Sequence, residues 1–279
     1  MKLSETVSIV TGGAGGIGRE IVTSLLNAGA RVLAVDASQA RLDAMQQDLG
    51  HAGARLACLT IDQTRAGSGR EIVQAALKAF GAFNVLISNA GVGRQLYTKE
   101  VLGKPPRVWE VPAGAWDTMF SINALAAIHL INEAMPVLLA QPHARLIAVT
   151  TSLNSMLNAG TGPYGPSKAA LEAYVAVLSD ELAGTGVTAN VLVPGGVVDT
   201  AMIPVTAGVD RDDMLKPAVM LAPLHYLLSD AGDVVTARRF RANLWDASIA
   251  PAEALARAGA PIAWTSISAG QRLDPPKKK

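Results

Sequence analysis

The sequence predicts an α/β fold: a doubly wound parallel β-sheet of about seven strands with helices on both faces. The main observation is a strict alternation of short apolar runs, typical of buried strands, with longer stretches in which apolar residues recur at helical spacing. Composition agrees, because half of the 279 residues are hydrophobic and only 17% are charged. Right-handed crossovers between parallel strands then place helices on both faces of the sheet.

Six strands are recognisable in order along the chain. They are predicted at TVSIV (6–10), RVLAVD (31–36), ARLACLTID (54–62), FNVLISNAG (83–91), ARLIAVTTS (144–152) and VTANVLVPGG (187–196). Helices are predicted between them at 19–29, 37–50, 69–81, 114–141 and 167–184. No linker interrupts this order before about residue 205, so residues 1–279 are expected to form one domain.

Charge and cysteine content exclude several classes of protein. The net charge of +1 does not indicate a nucleic-acid-binding surface. The single cysteine, Cys58, excludes an internal disulfide. The four histidines have no metal-ligand spacing, so no metal site is expected. The first strand begins too early to leave room for a signal peptide, and the apolar stretch 122–140 contains polar and charged residues. We therefore expect a soluble, cytoplasmic protein that binds neither membrane nor nucleic acid.

A glycine-rich stretch, TGGAGGIG at 11–18, follows the first strand and opens the first helix. Such a turn directs backbone N–H groups and a helix N-terminus toward a pyrophosphate. Gly13, Gly15 and Gly18 fit G-x-G-x-x-G, whereas Gly12, Gly16 and Gly18 fit T-G-x-x-x-G-x-G. Both patterns predict a dinucleotide site, and the glycines alone do not separate them.

An acidic residue ends the second strand, where a dinucleotide-binding fold places a ribose-binding carboxylate. Asp36 closes RVLAVD and lies 18 residues beyond Gly18. Its carboxylate suits the ribose hydroxyls of NAD and would repel a 2′-phosphate. Ala37 and Ser38 supply no cation for such a phosphate. The sequence therefore predicts NAD as the preferred cofactor.

A tyrosine and a lysine lie four residues apart in YGPSK, at the start of a predicted helix. Residues at this spacing share a helix face, so the ammonium of Lys168 is expected close to the phenol of Tyr164. A nearby positive charge lowers the pKa of a phenol, which would make Tyr164 a usable general acid/base.

The order T-G-x-x-x-G-x-G, N-A-G, Y-x-x-x-K and P-G resembles the short-chain dehydrogenase/reductase family in its single-domain form. The resemblance extends from residue 4 to about residue 240. It favours the pattern of Gly12, Gly16 and Gly18, and it implies a Rossmann-type fold.

The resemblance implies a role for each matching residue. For the cofactor it implies a phosphate-binding loop at Thr11, Gly12, Gly16, Ile17 and Gly18, and a ribose-binding acid at Asp36. It also implies an adenine-facing acid at Asp62 and a central turn at Asn89, Ala90 and Gly91. The implied carboxamide-binding segment contains Pro194, Gly195, Val197 and Thr200. For catalysis it implies that Asn123 holds a proton-relay water, that Tyr164 is the acid/base, and that Lys168 binds the nicotinamide ribose.

The implied reaction is hydride transfer between NAD and a small secondary alcohol or ketone. Tyr164 would take the hydroxyl proton as the hydride leaves, and reduction would be the reverse. The family commonly buries two helices between subunits, which here correspond to 125–139 and 169–182. A homodimer or homotetramer is therefore expected.

Two features depart from the family pattern. The substrate-polarising serine normally stands thirteen positions before the tyrosine, where this chain has Thr151, and Ser152 follows it. Alignment favours Thr151 and residue type favours Ser152, so both remain candidates. The segment LLSDAGDVVTARRF (227–240) resembles the penultimate helix and the approach to the last strand, but the usual closing Gly-Gly is missing. Residues from about 241 to 279 form an atypical C-terminal extension.

Two other functions are compatible with parts of the sequence. A dinucleotide-binding regulator without turnover is the main alternative, and intact Asn123, Tyr164 and Lys168 argue against it. An epimerase or dehydratase would resemble a longer form with G-x-x-G-x-x-G and an added domain, which this chain lacks. The substrate itself is not predicted, although Leu96, Tyr97, Leu153, Met156, Met202 and Trp245 are candidates for an apolar substrate pocket.

Overall fold

The computed structural model describes residues 1–99, 105–205 and 209–265, and its architecture is a single sheet between two layers of helices. The strands are β1 (Val7–Thr11), β2 (Arg31–Asp36), β3 (Leu56–Thr60), β4 (Val85–Ser88), β5 (Ala144–Val149), β6 (Val187–Val193), β7 (Arg238–Arg241) and β8 (Gly259–Pro261). The helices are α1 (Gly16–Asn27), α2 (Gln39–Asp48), α3 (Ser68–Phe80), α4 (Ala113–Phe120), α5 (Ala126–Leu139), α6 (Leu153–Leu157), α7 (Tyr164–Glu181), α8 (Leu221–Leu228) and α9 (Pro251–Ala258).

The sheet has the order β3-β2-β1-β4-β5-β6-β7-β8. All neighbouring pairs are parallel except β7 and β8, which are antiparallel. The order reverses between β1 and β4. In an open parallel sheet, ligands bind beyond the carboxyl ends of the strands at such a switch point.

Two hydrophobic clusters fill the space between the sheet and its helices. Residues of α3, α5 and α7, such as Ile72, Leu130 and Val175, pack on one face of the sheet. Residues of α1 and α8, such as Leu25 and Leu224, pack on the other. All residues of strands β1, β4, β5 and β6 are buried and most of them are apolar, as expected of strands covered on both faces of the sheet.

The predicted doubly wound fold is confirmed, but with eight strands rather than about seven. The additional strand, β8, comes from the C-terminal extension and pairs Arg238 with Pro261 and Phe240 with Gly259. The segment 227–240 contains the last two residues of α8, which ends at Leu228, and then a 3₁₀ turn, Asp230–Val234, that leads to β7. Of the extension, residues 266–279 lie outside the described residues.

The predicted helix at 114–141 is continuous from Ala113 to Leu139, and by length and composition it could cross a membrane. Its buried residues, including Leu130, Ile131 and Leu138, instead pack in the core on α3 and the sheet. A single π-helical turn, Ser121–Leu125, separates α4 from α5. π-turns within α-helices occur frequently at functional sites.

Candidate active site

The turn between β1 and α1 fits the pattern of Gly12, Gly16 and Gly18. Gly12 has a φ of +61°, in the left-handed region that favours glycine. A Cβ atom on Gly18 would lie 2.0 Å from the carbonyl oxygen of Gly12, so no side chain fits where the helix passes the turn. Helix α1 has no side-chain N-cap. Its first backbone N–H groups can therefore bind an anion at the positive end of the helix.

The Asn-Ala-Gly turn after β4 is bonded directly to this glycine turn. The hydroxyl oxygen of Thr11 accepts hydrogen bonds from the backbone N–H groups of Asn89 and Ala90, each at 3.0 Å. The side-chain amide of Asn89 donates to the carbonyl of Thr11 at 2.9 Å and to that of Gly12 at 3.3 Å. These bonds hold the carboxyl ends of β1 and β4 together at the switch point.

Asp36 lies at the carboxyl end of β2 with a side chain only 4% exposed. Its carboxylate accepts hydrogen bonds from the backbone N–H groups of Ala14 at 3.3 Å and Ser38 at 3.0 Å. Asp36 also lines the cavity that contains the glycine turn. The position therefore fits a group that receives the ribose of a dinucleotide.

Arg41 is a cation at this position that the sequence analysis did not anticipate. Its guanidinium donates to Asp36 Oδ1 at 2.8 Å and lines the same cavity. A Cβ on Gly15 would lie 3.3 Å from Arg41 Nη1. Ala37 and Ser38 supply no cation, but the first turn of α2 brings Arg41, five positions along the chain, back onto the carboxylate.

Asp62 is not part of the cavity lining among the described residues. Its exposed carboxylate accepts hydrogen bonds from the backbone N–H of Thr64 at 2.9 Å and from the Thr64 hydroxyl at 2.7 Å. These bonds lower the pKa of the Asp62 carboxyl. The contacts of Asp62 are therefore those of a local turn.

Helix α7 begins at Tyr164, so Pro166 lies in its first turn, where proline is tolerated. Tyr164 and Lys168 both line the cavity. The ammonium of Lys168 is 4% exposed and donates to the carbonyl of Val149, at the end of β5, at 3.0 Å. A Cβ on Gly91 would lie 3.1 Å from Lys168 Nζ, so the glycine of the Asn-Ala-Gly turn leaves room for the ammonium.

The predicted pKa of the tyrosine is wrong for this structure. Desolvation raises the pKa of Tyr164 above its ordinary value, although a hydrogen bond with the Thr151 side chain and the charge of Arg94 act in the opposite direction. Desolvation also lowers the pKa of Lys168 to about 8. The four-residue spacing did bring the two groups into one site, but burial outweighs the effect expected of the ammonium.

The two candidate hydroxyl groups have different surroundings. The Thr151 side chain lies close enough to Tyr164 to lower the pKa of its phenol. Ser152 is the N-cap of α6, where its hydroxyl accepts from the backbone N–H of Ser155 at 3.1 Å and lies 2.9 Å from the Ser155 hydroxyl. Both residues line the cavity, and Thr151 is the one of the two that influences the pKa of the phenol.

Asn123 lies in the π-helical turn and is fully buried. Its carboxamide accepts from the backbone N–H of Val92 at 2.8 Å and donates to the Val92 carbonyl at 2.9 Å. The same amide nitrogen donates to the Ser167 hydroxyl at 3.1 Å, beside Lys168. Asn123 thus connects the loop after β4 to the first turn of α7.

The segment after β6 forms the opposite wall of the cavity, which has a volume of about 580 Å³. Pro194, Gly195, Val197 and Thr200 all line it, as the sequence predicted for a carboxamide-binding segment. Gly195 has a φ of +89°, and Asn243 of the C-terminal extension donates its backbone N–H to Pro194 at 3.0 Å. The extension therefore contacts this segment through its backbone.

The structure brings most of the predicted residues together in this one cavity. The predicted residues that line it are Gly12, Gly16, Ile17, Asp36, Asn89, Ala90, Gly91, Thr151, Ser152, Tyr164, Lys168, Pro194, Gly195, Val197 and Thr200. Of the six candidates for an apolar substrate pocket, only Met202 is a lining residue. Trp245 instead packs on Tyr226 and Phe240. Arg94 and Gln95 line the substrate side, and neither was predicted.

No group of three or more metal-ligating side chains is present within residues 1–99, 105–205 and 209–265.

Comparisons with known proteins agree with this geometry. The short chain dehydrogenase family model matches residues 6–207. A short-chain type dehydrogenase/reductase of Picea abies is 30% identical over 258 residues, which are 86% of this chain and 92% of that protein. The fold is that of a short chain dehydrogenase of Shigella flexneri complexed with NADP, with a TM-score of 0.76 at 24% identity over 86% of this chain and 97% of that one.

A 3-ketoacyl-(acyl-carrier-protein) reductase of Brucella melitensis complexed with NADH has the same fold. Its TM-score is 0.72 at 20% identity, with 84% of this chain and 95% of that chain covered. The family match extends through the glycine turn, the Asn-Ala-Gly turn, the Tyr–Lys pair and the segment after β6. This chain therefore belongs to the short-chain dehydrogenase/reductase family of oxidoreductases.

Proposed function

We propose that the enzyme transfers a hydride between NAD and a secondary alcohol or ketone, with Tyr164 as the general acid/base. The observation that carries the proposal is the single cavity that joins the glycine turn and Asp36 to Tyr164, Thr151 and Lys168. Family membership supplies the coarser part of the function, oxidoreductase chemistry with a nicotinamide cofactor. The chain holds the site residues that this chemistry needs within one volume.

The residues at the glycine end fit a dinucleotide. Gly18 leaves no room for a side chain, α1 has no side-chain N-cap, and Asp36 lies at the end of β2. When bound, the nicotinamide ring accepts or donates the hydride. We favour NAD over NADP, because a carboxylate at this position repels a 2′-phosphate. Arg41 neutralises part of that charge, so we expect a smaller preference than Asp36 alone would give.

Tyr164 would hold and release the proton at its phenol oxygen. Because desolvation raises its pKa, the phenol is protonated at neutral pH and can donate to a ketone oxygen during reduction. Oxidation of an alcohol needs the ionised form, so its rate should increase as the pH rises above neutrality. Lys168, with a pKa of about 8, loses part of its charge over the same range.

Thr151 is our choice for the hydroxyl that polarises the substrate oxygen. It lies beside Tyr164 and lowers the pKa of the phenol, whereas the Ser152 hydroxyl is already bonded to Ser155 at the start of α6. A hydroxyl beside the phenol can hold the substrate oxygen at the point where the proton is transferred. We propose that Asn123 positions the loop after β4. We also propose that Asn123 holds the proton-relay water that the family resemblance implies.

The experiment is a screen of secondary alcohols with NAD and of ketones with NADH, followed by cofactor absorbance. We expect turnover of at least one class of substrate, with a lower KM for NAD than for NADP. Cofactor binding by calorimetry without turnover of any alcohol or ketone would contradict the proposal and favour the dinucleotide-binding regulator.

We further propose that the enzyme is a cytoplasmic homodimer or homotetramer. Leu125, Leu139 and Val177 lie on the helices predicted to be buried between subunits, and all three are at least 47% exposed in the single chain. Light scattering at micromolar concentration tests the assembly, and a monomer mass would contradict it. Cell fractionation tests the location.

A further inference from the structure

The charged residues that line the cavity differ in whether they have a partner of opposite charge. They are Asp36, Arg41, Arg94 and Lys168. Asp36 and Arg41 form an ion pair with each other, and Lys168 donates to a backbone carbonyl beside Tyr164. Arg94 has no carboxylate partner among the residues that the structure describes. The substrate side of the cavity is therefore positively charged.

Arg94 is held where a substrate would lie. It follows the Asn-Ala-Gly turn by three residues and begins a short 3₁₀ turn, Arg94–Leu96. Its Nη1 donates to the carbonyl of Gly160 at 3.1 Å, so the guanidinium spans from the loop after β4 to the loop before α7. Its charge acts on the phenols of both Tyr164 and Tyr97, which places it near the catalytic group.

We infer that Arg94 recognises a carboxylate on the substrate, so that the proposed alcohol or ketone is a hydroxy acid or keto acid. The inference rests on the proposed function and specifies its substrate class. Because Nη1 is bonded to Gly160, the Nε and Nη2 edge remains for a planar, two-oxygen group, which matches a carboxylate. Met202 and Ile203 line the same cavity and suit the carbon chain of such a substrate.

The first test compares keto acids with their methyl esters, which keep the shape but lack the charge. A charge-assisted hydrogen bond to the carboxylate should give the acid a kcat/KM about 10- to 100-fold above that of its ester. In Arg94→Gln the ratio of acid to ester should fall to about 1, and Arg94→Lys, which keeps the charge, should recover part of it. Arg107→Gln is the matched control, because Arg107 is exposed and does not line the cavity.

A second measurement does not depend on turnover. Calorimetry with NAD present should show that isobutyrate binds the wild-type protein more tightly than isobutyramide, and that Arg94→Gln removes the difference. Equal binding of the two compounds, or a preference for the acid that persists in Arg94→Gln, would overturn the inference. If neutral ketones are reduced but acids have no advantage, the proposed function stands and the substrate class is wrong. If isobutyrate binds through Arg94 but nothing is turned over, the carboxylate site stands and the proposed function is wrong.

Discussion

Loss of Arg239 should destabilise the protein strongly, because its partner Glu172 is buried and has no other cationic partner among the residues that the structure describes. Glu172 lies on α7, eight residues after Tyr164, and is 0% exposed, while Arg239 on β7 is 4% exposed. Glu172 Oε1 accepts from Arg239 Nε at 2.8 Å and from the backbone N–H of Ala263 at 3.1 Å. Its other oxygen accepts from the Thr150 hydroxyl at 2.8 Å.

Arg239→Met removes the cation and leaves this carboxylate in the core. Breaking one partner of a buried ion pair costs about 3–5 kcal/mol, a large share of the roughly 5–15 kcal/mol that stabilises a typical protein. The free energy of unfolding should therefore fall by that amount in urea denaturation followed by circular dichroism. Arg239 Nη2 also donates to the carbonyl of Thr151 at 2.9 Å, so turnover should decrease as well.

A second substitution tests whether the uncompensated charge of Glu172 causes the loss. Adding Glu172→Gln to Arg239→Met removes the charge and should recover more than half of the loss. A loss below about 1 kcal/mol for Arg239→Met, or no recovery when Glu172→Gln is added, would refute the reasoning.

Three further predictions concern the cavity. Lys168→Met should raise the free energy of unfolding at pH 7 by about 3 kcal/mol, because the folded-state pKa of about 8 lies below the ordinary 10.5 and burial therefore penalises the charged form. Between these two pKa values the folded state binds fewer protons than the unfolded state, so the gain in stability should disappear as the pH rises from 8 to 10.5. Urea titrations at pH 7 and pH 10 measure the gain, and no gain at pH 7 would contradict the prediction. Thr151→Ala should lower kcat/KM by at least 10-fold and Ser152→Ala by less than about 3-fold, as the loss of one hydrogen bond near the reacting atom implies; the reverse order would assign the role to Ser152. Asp36→Ala should reduce the preference for NAD over NADP and Arg41→Ala should increase it, as calorimetry with both cofactors will show; tighter binding of NADP by the wild type would contradict the assignment.

Sequence order predicted the central part of the fold because it depends on local patterns. Each of the first six strands is largely apolar and rich in residues that favour strands, and each is found within a few residues of its predicted position. Strand β8 could not be predicted in the same way. It has the sequence Gly-Ala-Pro, which has little β-propensity, and it forms because Phe240 and Arg238 on β7 supply its partners.

The residues of the candidate site also differ in whether local sequence patterns could predict them. The glycine turn and the Tyr164–Lys168 pair are fixed by spacing within a single turn or helix, so the motifs identified them. Arg41 enters the cavity from a helix turn and Arg94 from a loop. The sequence does not specify the direction of that turn or of that loop. The direction of the pKa shift of Tyr164 depends on how deeply the phenol is buried, which spacing alone does not report.

The position of the C-terminal extension could not be predicted from local sequence patterns either. The extension departs from the family ending, and its place in the molecule follows only from contacts with distant residues. The backbone N–H of Ala263 donates to Glu172, and that of Asn243 donates to Pro194. Within residues 241–265, these contacts join the extension to α7 and to the segment after β6 that lines the cavity.

The account depends most directly on proton transfer by Tyr164, which the Tyr164→Phe variant tests. Only one hydroxyl is removed, so the fold and the dissociation constant for NAD should remain close to those of the wild type. With a substrate identified in the alcohol and ketone screen, kcat should fall by about 10²–10⁴-fold or more, as expected when a general acid/base is lost. A Tyr164→Phe enzyme that keeps a near-normal kcat while binding NAD normally would contradict the mechanism.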